Sequence, residues 1–395
     1  MHQRLWMWRT VELVILGGGC AGLSLASRLC KLGYDCPKTL VIEQRRSYGN
    51  DRTWCFWHNH KLPLGDWVTH EWQRLRLAHG DQTLDFDCGT NAYQIVTAAK
   101  FYAHATQAIA ANPAIELVMD TAVTAEPCPS AAGWTIETAL GTVHAKLVLD
   151  ARTTTFQDDS AAVLWQSFYG QEVVCDEDWF NPAQAVLMDF TATAGDQISF
   201  AYVLPTSPRH ALIEATVFGP RPLRAADLAD QLERAKADHA GGLSLAVRHS
   251  EQGVLPMGLN RPAPSLGHGH ARAGIMAGAA RPSSGFAFQR IQQWANRCSQ
   301  SIASGQGPVG HAPDPLAMRM MDRLFLKVIR NAPQMAPALF MSIFDKADNQ
   351  SVIRFLSGTA SLRDCLQVMA ALPTARFVSQ LLRPAAVGGF SGAAK

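Results

Sequence analysis

The chain has 395 residues and a mass of 42.9 kDa, a length that predicts about two or three domains and a core that needs no disulfide or metal. Charged residues make up 17% of the sequence and hydrophobic residues 48%, so the surface is short of charge. The net charge of +2, with no basic tail or dense Lys/Arg block, argues against nucleic-acid binding. High hydrophobicity with little net charge excludes intrinsic disorder.

The cysteine content bears on the cellular compartment. The nine cysteines are odd in number and form no Cys-x-x-Cys pair, so we expect neither a disulfide framework nor a metal site. Reduced thiols are typical of the cytoplasm, where we expect the protein to lie. The first ten residues lack the apolar stretch of a signal peptide, and no run of about 18 apolar residues predicts a membrane span.

The N-terminal segment has the pattern of a strand–helix–strand unit. Residues 11–16 form an apolar, β-branched-rich run that predicts a buried strand of a parallel sheet. Residues 21–32 have helical composition and stop at Gly33. Residues 39–42 predict a second strand that ends before Glu43. The unit occupies about thirty residues, which is the length of one βαβ crossover.

A G-x-G-x-x-G pattern joins the first strand to the helix. Its glycines are Gly17, Gly19 and Gly22, with Ala21 at the start of the helix. The glycines permit a tight turn, close approach of a pyrophosphate and close packing of helix on strand. Glu43 follows about twenty residues later, where a carboxylate can accept hydrogen bonds from a ribose diol. The unit predicts a dinucleotide site but does not separate FAD from NAD.

The rest of the chain alternates predicted sheet and helix. Strands are predicted within 66–96, at 115–118 and 143–150, within 160–220 and at 273–278; helices are predicted at 97–111, 225–248, 286–303 and in several pieces after 315. The strand that ends on Asp150 is placed like the returning βαβ strand of two-domain flavoproteins. Gly278, Ser284 and Gly285 precede a predicted helix whose N–H groups could face a flavin. The alternative for this stretch is an ordinary strand–loop–helix junction.

The most informative carboxylate is Glu214. It lies in a predicted hairpin that closes around residues 205–208, and a period of two places it on one face with Leu212 and Thr216. If that face is solvated, Glu214 is an ordinary surface residue. If the face is buried, desolvation raises the pKa of Glu214, and the group can donate a proton to carbon. Asp189, on a neighbouring predicted strand, is a candidate partner.

Two aromatic patches and one helix also stand out. The patches contain Trp54, Phe56, Trp165 and Phe168, which either line a channel or pack in the core. Within 315–344, an apolar stripe recurs at helical spacing beside a basic stripe, as in a helix that lies on anionic lipid. The alternative is a helix packed on the core with a solvated basic face. The apolar stripe is Met318, Met321, Phe325 and Val328, and the basic stripe is Arg319, Arg323, Lys327 and Arg330.

Read together, these segments resemble the FAD-containing lycopene cyclase family, and the bacterial β-cyclases in particular. The matching segments follow one another in the same order along nearly the whole chain. They are residues 17–22, 53–56, 166–172, 188–189, 204–208, 213–214, 251–256, 281–286 and 355–358.

The resemblance implies an α/β fold like that of aromatic-hydroxylase-type flavoproteins. A Rossmann-like FAD-binding domain would be interleaved with an antiparallel β substrate domain and followed by a C-terminal helical region. The FAD-binding domain would take residues 10–60, 95–160 and 250–305, the substrate domain 61–94 and 161–249, and the helical region 306–395.

The resemblance also implies an activity. The family converts the linear ψ-end groups of lycopene to β-ionone rings in carotenoid biosynthesis, a redox-neutral isomerisation that starts with protonation and passes through a carbocation. It requires reduced FAD, with electrons ultimately from NAD(P)H. The glutamate of the family's hairpin motif maps onto Glu214. Because lycopene is dissolved in the membrane, the resemblance implies a peripheral protein on the inner face of the cell membrane.

Site residues are assigned on the same basis. FAD would be held by Gly17, Gly19, Ala21, Gly22, Glu43, Asp150, Gly278, Ser284 and Gly285. The substrate would contact Trp54, Phe56, Trp165, Phe168 and Phe286, with Glu214 and Asp189 catalytic and no metal ligand.

The sequence departs from the family at four positions. Ala215 stands where plant relatives have a second acid, and Ala279 follows Gly278 where many FAD enzymes have Asp. Trp57 and Arg281 replace residues that are often His in relatives. Three alternatives remain open: an FAD monooxygenase, a non-catalytic flavin-binding membrane protein, and a cyclase that acts on another prenyl chain.

Overall fold

The computed structural model describes residues 10–59, 67–153, 161–190, 196–260 and 262–372. Within them the strands are β1 (Thr10–Leu16), β2 (Thr39–Ile42), β3 (Thr53–Asn59), β4 (His70–Trp72), β5 (Arg74–His79), β6 (Gln82–Asp87), β7 (Asn91–Thr97), β8 (Ile115–Val118), β9 (Cys128–Ser130), β10 (Gly133–Thr138), β11 (Gly141–Asp150), β12 (Ala162–Cys175), β13 (Gln184–Phe190), β14 (Ile198–Pro205), β15 (His210–Gly219), β16 (Leu245–Leu259) and β17 (His270–Arg272). The helices are α1 (Cys20–Leu29), α2 (Ala98–Ala110), α3 (Ala225–Ala240), α4 (Phe288–Ala303), α5 (Leu316–Asn331), α6 (Ala336–Lys346), α7 (Asn349–Ser357) and α8 (Leu362–Ala370). The parts of the predicted domains at 60–66, 154–160, 191–195, 261 and 373–395 lie outside the described residues.

The first sheet is the Rossmann-like one. Its strand order is β8-β2-β1-β11-β10-β9, and β17 pairs with β11. The central strands run parallel, with β1 between β2 and β11. Leu13 and Ile15 of β1 share a core with α1, α2 and α4, while Val14 and Leu16 pack with β10 and β11 on the other side. A strand covered on both faces needs an almost continuous apolar sequence, which explains residues 11–16.

The second sheet has the order β16-β12-β15-β14-β13-β5-β6, and all its pairs are antiparallel except β13 with β5. Helix α3 packs on one face of it through Leu232 and Ala235. Helices α5 to α8 share a core with strands of this sheet and with the small antiparallel sheet β3-β7-β4. The chain passes back and forth between the first and second sheets. The predicted fold class, with its interleaved sheet domain and helical C-terminal region, is therefore confirmed.

Two predicted elements are wrong. Residues 225–248 are not one helix, because α3 ends at Gly241, whose φ of +59° is left-handed, and residues from Leu245 onward belong to β16. Residues 273–278 are not a strand. The strand is β17, and Ile275–Ala277 is a short 3₁₀ helix between Gly274 and Gly278, both at positive φ. The predicted domain boundary at residue 250 falls within β16, which lies wholly in the second sheet.

Helix α5 follows the alternative in which the helix packs on the core. Met318 and Val328 are buried in the core shared with the second sheet, and Phe325 packs against the same core. Arg323 and Lys327 are exposed on the other side. The predicted apolar stripe is therefore not available to lipid. Among the described residues no helix is long and apolar enough to cross a membrane.

Candidate active site

A cavity of about 1220 Å³ joins the glycine loop of the first sheet to the inner face of the second sheet. Gly17, Gly19 and Glu43 line one end of it. Glu214 and Glu251 line the part formed by the second sheet. The predicted dinucleotide site and the predicted acid therefore lie in one continuous space.

The three glycines of the N-terminal motif have different roles. Gly17 turns the chain at a φ of +95°, and a Cβ there would lie 3.0 Å from the carbonyl oxygen of Ala151. A Cβ on Gly22 would lie 2.0 Å from the carbonyl oxygen of Gly17, so this glycine allows α1 to pack against the loop. A Cβ on Gly19 would meet no atom within 4 Å, because Gly19 borders the cavity. This cradle fits a pyrophosphate approaching the start of α1.

Glu43 is a buried, charged carboxylate at the edge of the cradle. It accepts hydrogen bonds from the N–H of Gly18 at 2.8 Å and from the Arg45 guanidinium at 3.1 Å. Burial works to raise the pKa of Glu43, but the hydrogen bonds and charge of Arg45 outweigh it and hold the pKa below its usual value. A ribose acceptor needs an ionised carboxylate that borders the cavity, so Glu43 stays the predicted acceptor.

The other predicted cofactor residues divide into two groups. Ser284 and Gly285 line the cavity, whereas Ala21, Gly22 and Gly278 do not. A Cβ on Gly285 would lie 2.5 Å from Oε1 of Gln166, and its φ of +74° also favours glycine at this position. Oε1 of Gln166 is buried without a hydrogen-bond partner, although Gln166 lines the cavity. A bound group with an N–H donor would satisfy this acceptor.

Asp150 does not line the cavity. It forms ion pairs with Arg152 at 2.8 Å and with Arg272 at 3.5 Å. Burial works to raise the pKa of Asp150, but the hydrogen bonds from Arg152 outweigh it, so the pKa is lowered. Asp150 thus holds Arg152, and it is Arg152 that borders the cavity. The sequence pattern correctly predicts that a strand ends on Asp150. It does not indicate that Asp150 positions Arg152.

Glu214 faces the cavity from the middle of the second sheet. Across β14 its register partner is Tyr202, and across β12 it is Gly170. The hydroxyl of Thr216 donates a hydrogen bond of 2.8 Å to its Oε1. Burial, together with the charge of Glu251, raises the pKa of Glu214 to about 8. Of the two alternatives for this hairpin, the structure supports the one with a raised pKa: Glu214 is half-buried, faces the cavity rather than the outer surface, and favours its protonated form near neutral pH.

Glu251 has no predicted role, yet it is the second carboxyl group in the part of the cavity wall that the second sheet forms. It lies on β16 opposite Gly170, is only 4% exposed, and accepts a hydrogen bond of 2.7 Å from the hydroxyl of Thr53. Burial raises the pKa of Glu251 to about 7, against the opposing effect of Thr53. The signal that could have found it is the segment 251–256, which matches the family but was assigned to the FAD-binding domain rather than to the substrate sheet.

Asp189 lies on the other face of the sheet from Glu214. Its register partner is Ala201, which is paired in turn with Ala215, and both alanines pack toward α3. Its carboxylate lies 3.1 Å from Nε2 of His239 in that helix. Asp189 does not line the cavity, so the structure does not bring it together with Glu214.

The predicted aromatic residues are also divided. Trp54, Phe168 and Phe286 line the cavity. Phe56 is buried beside the cavity and stacks on Phe288 with ring centroids 5.0 Å apart, and Trp165 is fully buried. For these two residues the structure supports core packing. Lining residues that the sequence analysis did not single out are Cys55, Tyr93, Tyr202 and Phe288.

No metal site is evident in the described part of the chain, where no three His, Cys, Asp or Glu side chains cluster suitably. All nine cysteines are free thiols.

Comparisons with solved structures identify the fold. The chain aligns with a geranylgeranyl bacteriochlorophyll reductase-like protein of Thermoplasma acidophilum at a TM-score of 0.61 and 14% identity, over 94% of this chain and 98% of that one. It aligns with p-nitrophenol 4-monooxygenase of Pseudomonas putida at a TM-score of 0.56 and 15% identity, over 94% and 97% of the two chains. A flavin-dependent brominase aligns at 0.57 and 14%, over 94% and 98%. At these identities the similarity concerns the fold.

Sequence comparison is more specific. The chain is 28% identical over 251 residues to a lycopene beta-cyclase of Paracoccus sp. (strain N81106 / MBIC 01143), a match that covers 58% of this chain and 62% of that protein. The chain thus matches about three fifths of the length of this relative. The family described as lycopene cyclase protein matches residues 12–382. Because that match covers nearly the whole chain, this protein belongs to the lycopene cyclase protein family.

Proposed function

We propose that this protein is a lycopene β-cyclase that closes the linear ψ-end groups of lycopene into β-ionone rings without net oxidation or reduction. The observation that carries the proposal is the position of Glu214, a carboxylic acid largely protonated at neutral pH inside a cavity that also borders the dinucleotide cradle. Family membership and the relative named lycopene beta-cyclase support the substrate class.

Glu214 is suited to start the reaction. Protonation of a terminal trisubstituted alkene needs an acid that keeps its proton at neutral pH and is shielded from water. The half-buried Glu214 has a raised pKa, and substrate that fills the cavity would shield it from water. The proton leaves the Glu214 carboxyl group and forms a C–H bond at the end of the chain. The neighbouring double bond attacks the tertiary cation that results, and loss of a ring proton then gives the cyclohexene.

The cavity wall suits a cationic intermediate. The aromatic side chains of Trp54, Phe168 and Phe286 border it, and aromatic faces attract positive charge. Few other groups in the wall of the second sheet are polar, which favours a hydrocarbon over a polar substrate. Water is excluded as substrate fills this space, and electrostatic stabilisation grows as water leaves.

FAD is the cofactor that the cradle would hold. Gly17 and Gly19 would border its pyrophosphate, Glu43 its ribose, and Ser284 and Gly285 would lie near the flavin. Reduced FAD, with electrons ultimately from NAD(P)H, would supply an electron-rich surface beside the developing cation. The unpartnered Oε1 of Gln166 supports this fit, since an N–H of the bound group would satisfy it.

We place the protein on the cytoplasmic face of the cell membrane, where its substrate is dissolved. Exposed apolar residues support this placement. Leu316 and Met320 extend from α5, and Leu362 and Leu366 extend from α8. The two helices meet where Met318 contacts Cys365 at 3.3 Å. Scattered apolar residues are normal on a surface, but Leu316 and Met320 share α5 with the exposed basic side chains of Arg319, Arg323 and Lys327.

The test is conversion of lycopene in liposomes by the purified, FAD-loaded protein under anaerobic conditions with dithionite. We expect β-ring products, no NADPH consumed per ring closed, and a loss of about 10²–10⁴-fold in rate for Glu214→Gln with FAD still bound. Glu233→Gln, on the exposed side of α3, is the matched control. Oxidation of NADPH in step with product under oxygen would instead establish a monooxygenase, and normal cyclisation by Glu214→Gln would move the acid elsewhere.

A further inference from the structure

Two carboxylic acids face the cavity from strands that flank the same glycine. Gly170 of β12 is the register partner of Glu214 on β15 and of Glu251 on β16. Register partners of adjacent antiparallel strands point to the same face of a sheet, so both glutamates project into the cavity. Because Gly170 has no side chain, no side chain of β12 lies between Glu214 and Glu251.

The space above Gly170 is needed by Glu214. A Cβ on Gly170 would lie 3.2 Å from Cβ and 3.3 Å from Cγ of Glu214. The hydroxyls of Thr216 and Thr53 each donate a hydrogen bond to one glutamate, the first to Glu214 and the second to Glu251. The two carboxyl groups are therefore held on opposite sides of one glycine and line the same cavity.

We propose that Glu251 is the base that removes the ring proton in the last step, with Glu214 as the acid of the first. The inference rests on the proposed cyclisation, which requires one proton to enter the substrate and another to leave it. The chemistry calls for a group that gives a proton and a group that takes one, and the cavity presents two carboxyl groups on one sheet face.

The proton balance closes without a further reactant. The O–H bond of Glu214 breaks as a C–H bond forms at the chain end, and a carbon–carbon bond closes the ring. A ring C–H bond then breaks, its electrons form the ring double bond, and its proton goes to a carboxylate oxygen of Glu251. Substrate and product are isomers, and the two glutamates have exchanged protonation states.

The resting state of the pair agrees with these roles. Burial raises the pKa of both groups, to about 8 for Glu214 and about 7 for Glu251, and the charge on Glu251 contributes to the shift of Glu214. Near neutral pH a proton is therefore held more readily by Glu214 than by Glu251. Return of a proton from Glu251 to Glu214 restores the starting state.

The test is the fate of deuterium in D₂O with FAD-loaded Glu251→Gln protein, reduced and anaerobic. Glu214 can still protonate the alkene in this variant, but the cation has no base at the ring carbon. We expect β-ring formation to fall about 100-fold or more, with deuterium appearing in recovered lycopene or in ring isomers with a displaced double bond. Glu251→Asp keeps a carboxylate and should retain the β-ring as the main product.

Each outcome has a defined meaning. Normal β-ring formation by Glu251→Gln overturns the role of Glu251, and so does a loss of activity with neither deuterium uptake nor displaced isomers in this variant. If Glu251→Gln fails to bind FAD, Glu251→Asp decides. A β-ring product formed more slowly than in the wild type, with deuterium in recovered lycopene, supports the base, because the carboxylate is kept but moved. β-ring formation at the wild-type rate without that deuterium overturns it. Normal turnover by Glu214→Gln would instead contradict the proposed acid.

Discussion

The hydroxyl of Thr53, at the start of β3, donates a hydrogen bond of 2.7 Å to Oε2 of Glu251 in β16. The bond joins the small three-stranded sheet to the second sheet at the wall of the cavity. A hydrogen bond to a carboxylate favours its charged form, so Thr53 lowers the pKa of Glu251 while burial raises it. Thr53 is thus a positioning residue for the proposed base.

We predict that Thr53→Val moves the acidic limb of the pH–rate profile to higher pH. Without the hydroxyl the pKa of Glu251 rises above its value of about 7, so the carboxylate is protonated over more of the neutral range. The rate of cyclisation as a function of pH measures this shift. Thr53→Ser keeps the hydroxyl and should retain the wild-type profile. An unchanged acidic limb in Thr53→Val, with FAD bound, would contradict the assignment.

The raised pKa of Glu214 should also lower the free energy of unfolding at high pH. The pKa of Glu214 is raised to about 8 in the folded protein, so between the unfolded value near 4.5 and about pH 8 the folded state binds the additional proton. In that window the free energy of unfolding falls as pH rises, by at most about 1.4 kcal/mol per pH unit. Glu214→Gln does not titrate and should lose this dependence.

The measurement is denaturant unfolding of wild type and Glu214→Gln at several pH values. We expect the variant to gain in relative stability from about pH 5 to pH 8, and the difference to level off above pH 8, where the folded state has lost the proton. Glu233→Gln, which is exposed, should show no such trend. A stability difference independent of pH would show that Glu214 is not held protonated.

Alanine substitutions at Gly19 and Gly22 should have different effects, the first on FAD retention and the second on stability. A methyl group on Gly19 enters the cavity without touching the protein, so Gly19→Ala should fold normally but retain FAD at least about tenfold more weakly. A methyl group on Gly22 collides with the carbonyl of Gly17, so Gly22→Ala should lower the melting temperature. Flavin absorbance and thermal unfolding are the measurements, and Gly49→Ala, exposed and free of contacts, is the control. Full FAD retention in Gly19→Ala would contradict the cradle.

Local patterns were enough to predict the cradle and the hairpin. The buried strand of residues 11–16, its glycines and Glu43 lie within one continuous segment, and the period of two around Glu214 places it correctly on one sheet face. These features depend on neighbours in sequence, and their geometry follows from the backbone repeat of each element.

Register between distant strands could not be predicted in the same way. Glu251 and Glu214 lie on one sheet face at the level of Gly170 because β15 and β16 both pair with β12. No local sequence pattern predicts which strands become neighbours. Asp189 was predicted as a partner of Glu214, but it lies on the other face of the sheet. The pairing of β13 with β14 shifts between Val186 and Asp189, and a shift of one residue moves a side chain to the other face.

The final prediction concerns the exposed side of α5 and α8. Met320, Leu362 and Leu366 are 65%, 73% and 66% exposed, and Arg323 and Lys327 are exposed on α5. Basic residues near an anionic membrane contribute about 1 kcal/mol each, and exposed apolar side chains add to binding.

Charge reversal of Arg323 and Lys327 together should therefore weaken binding to anionic liposomes by more than about tenfold, because two attractive charges become repulsive. Flotation measures the bound fraction, and the FAD content should not change, since neither residue lines the cavity. Met320→Ser with Leu366→Ser should weaken binding to neutral liposomes as well, because it removes apolar contact rather than charge. Arg234→Glu, on the exposed side of α3, is the matched control and should float like the wild type. If the protein stays unbound with anionic liposomes while cyclising detergent-dispersed lycopene at the normal rate, the surface of α5 and α8 is not a membrane contact.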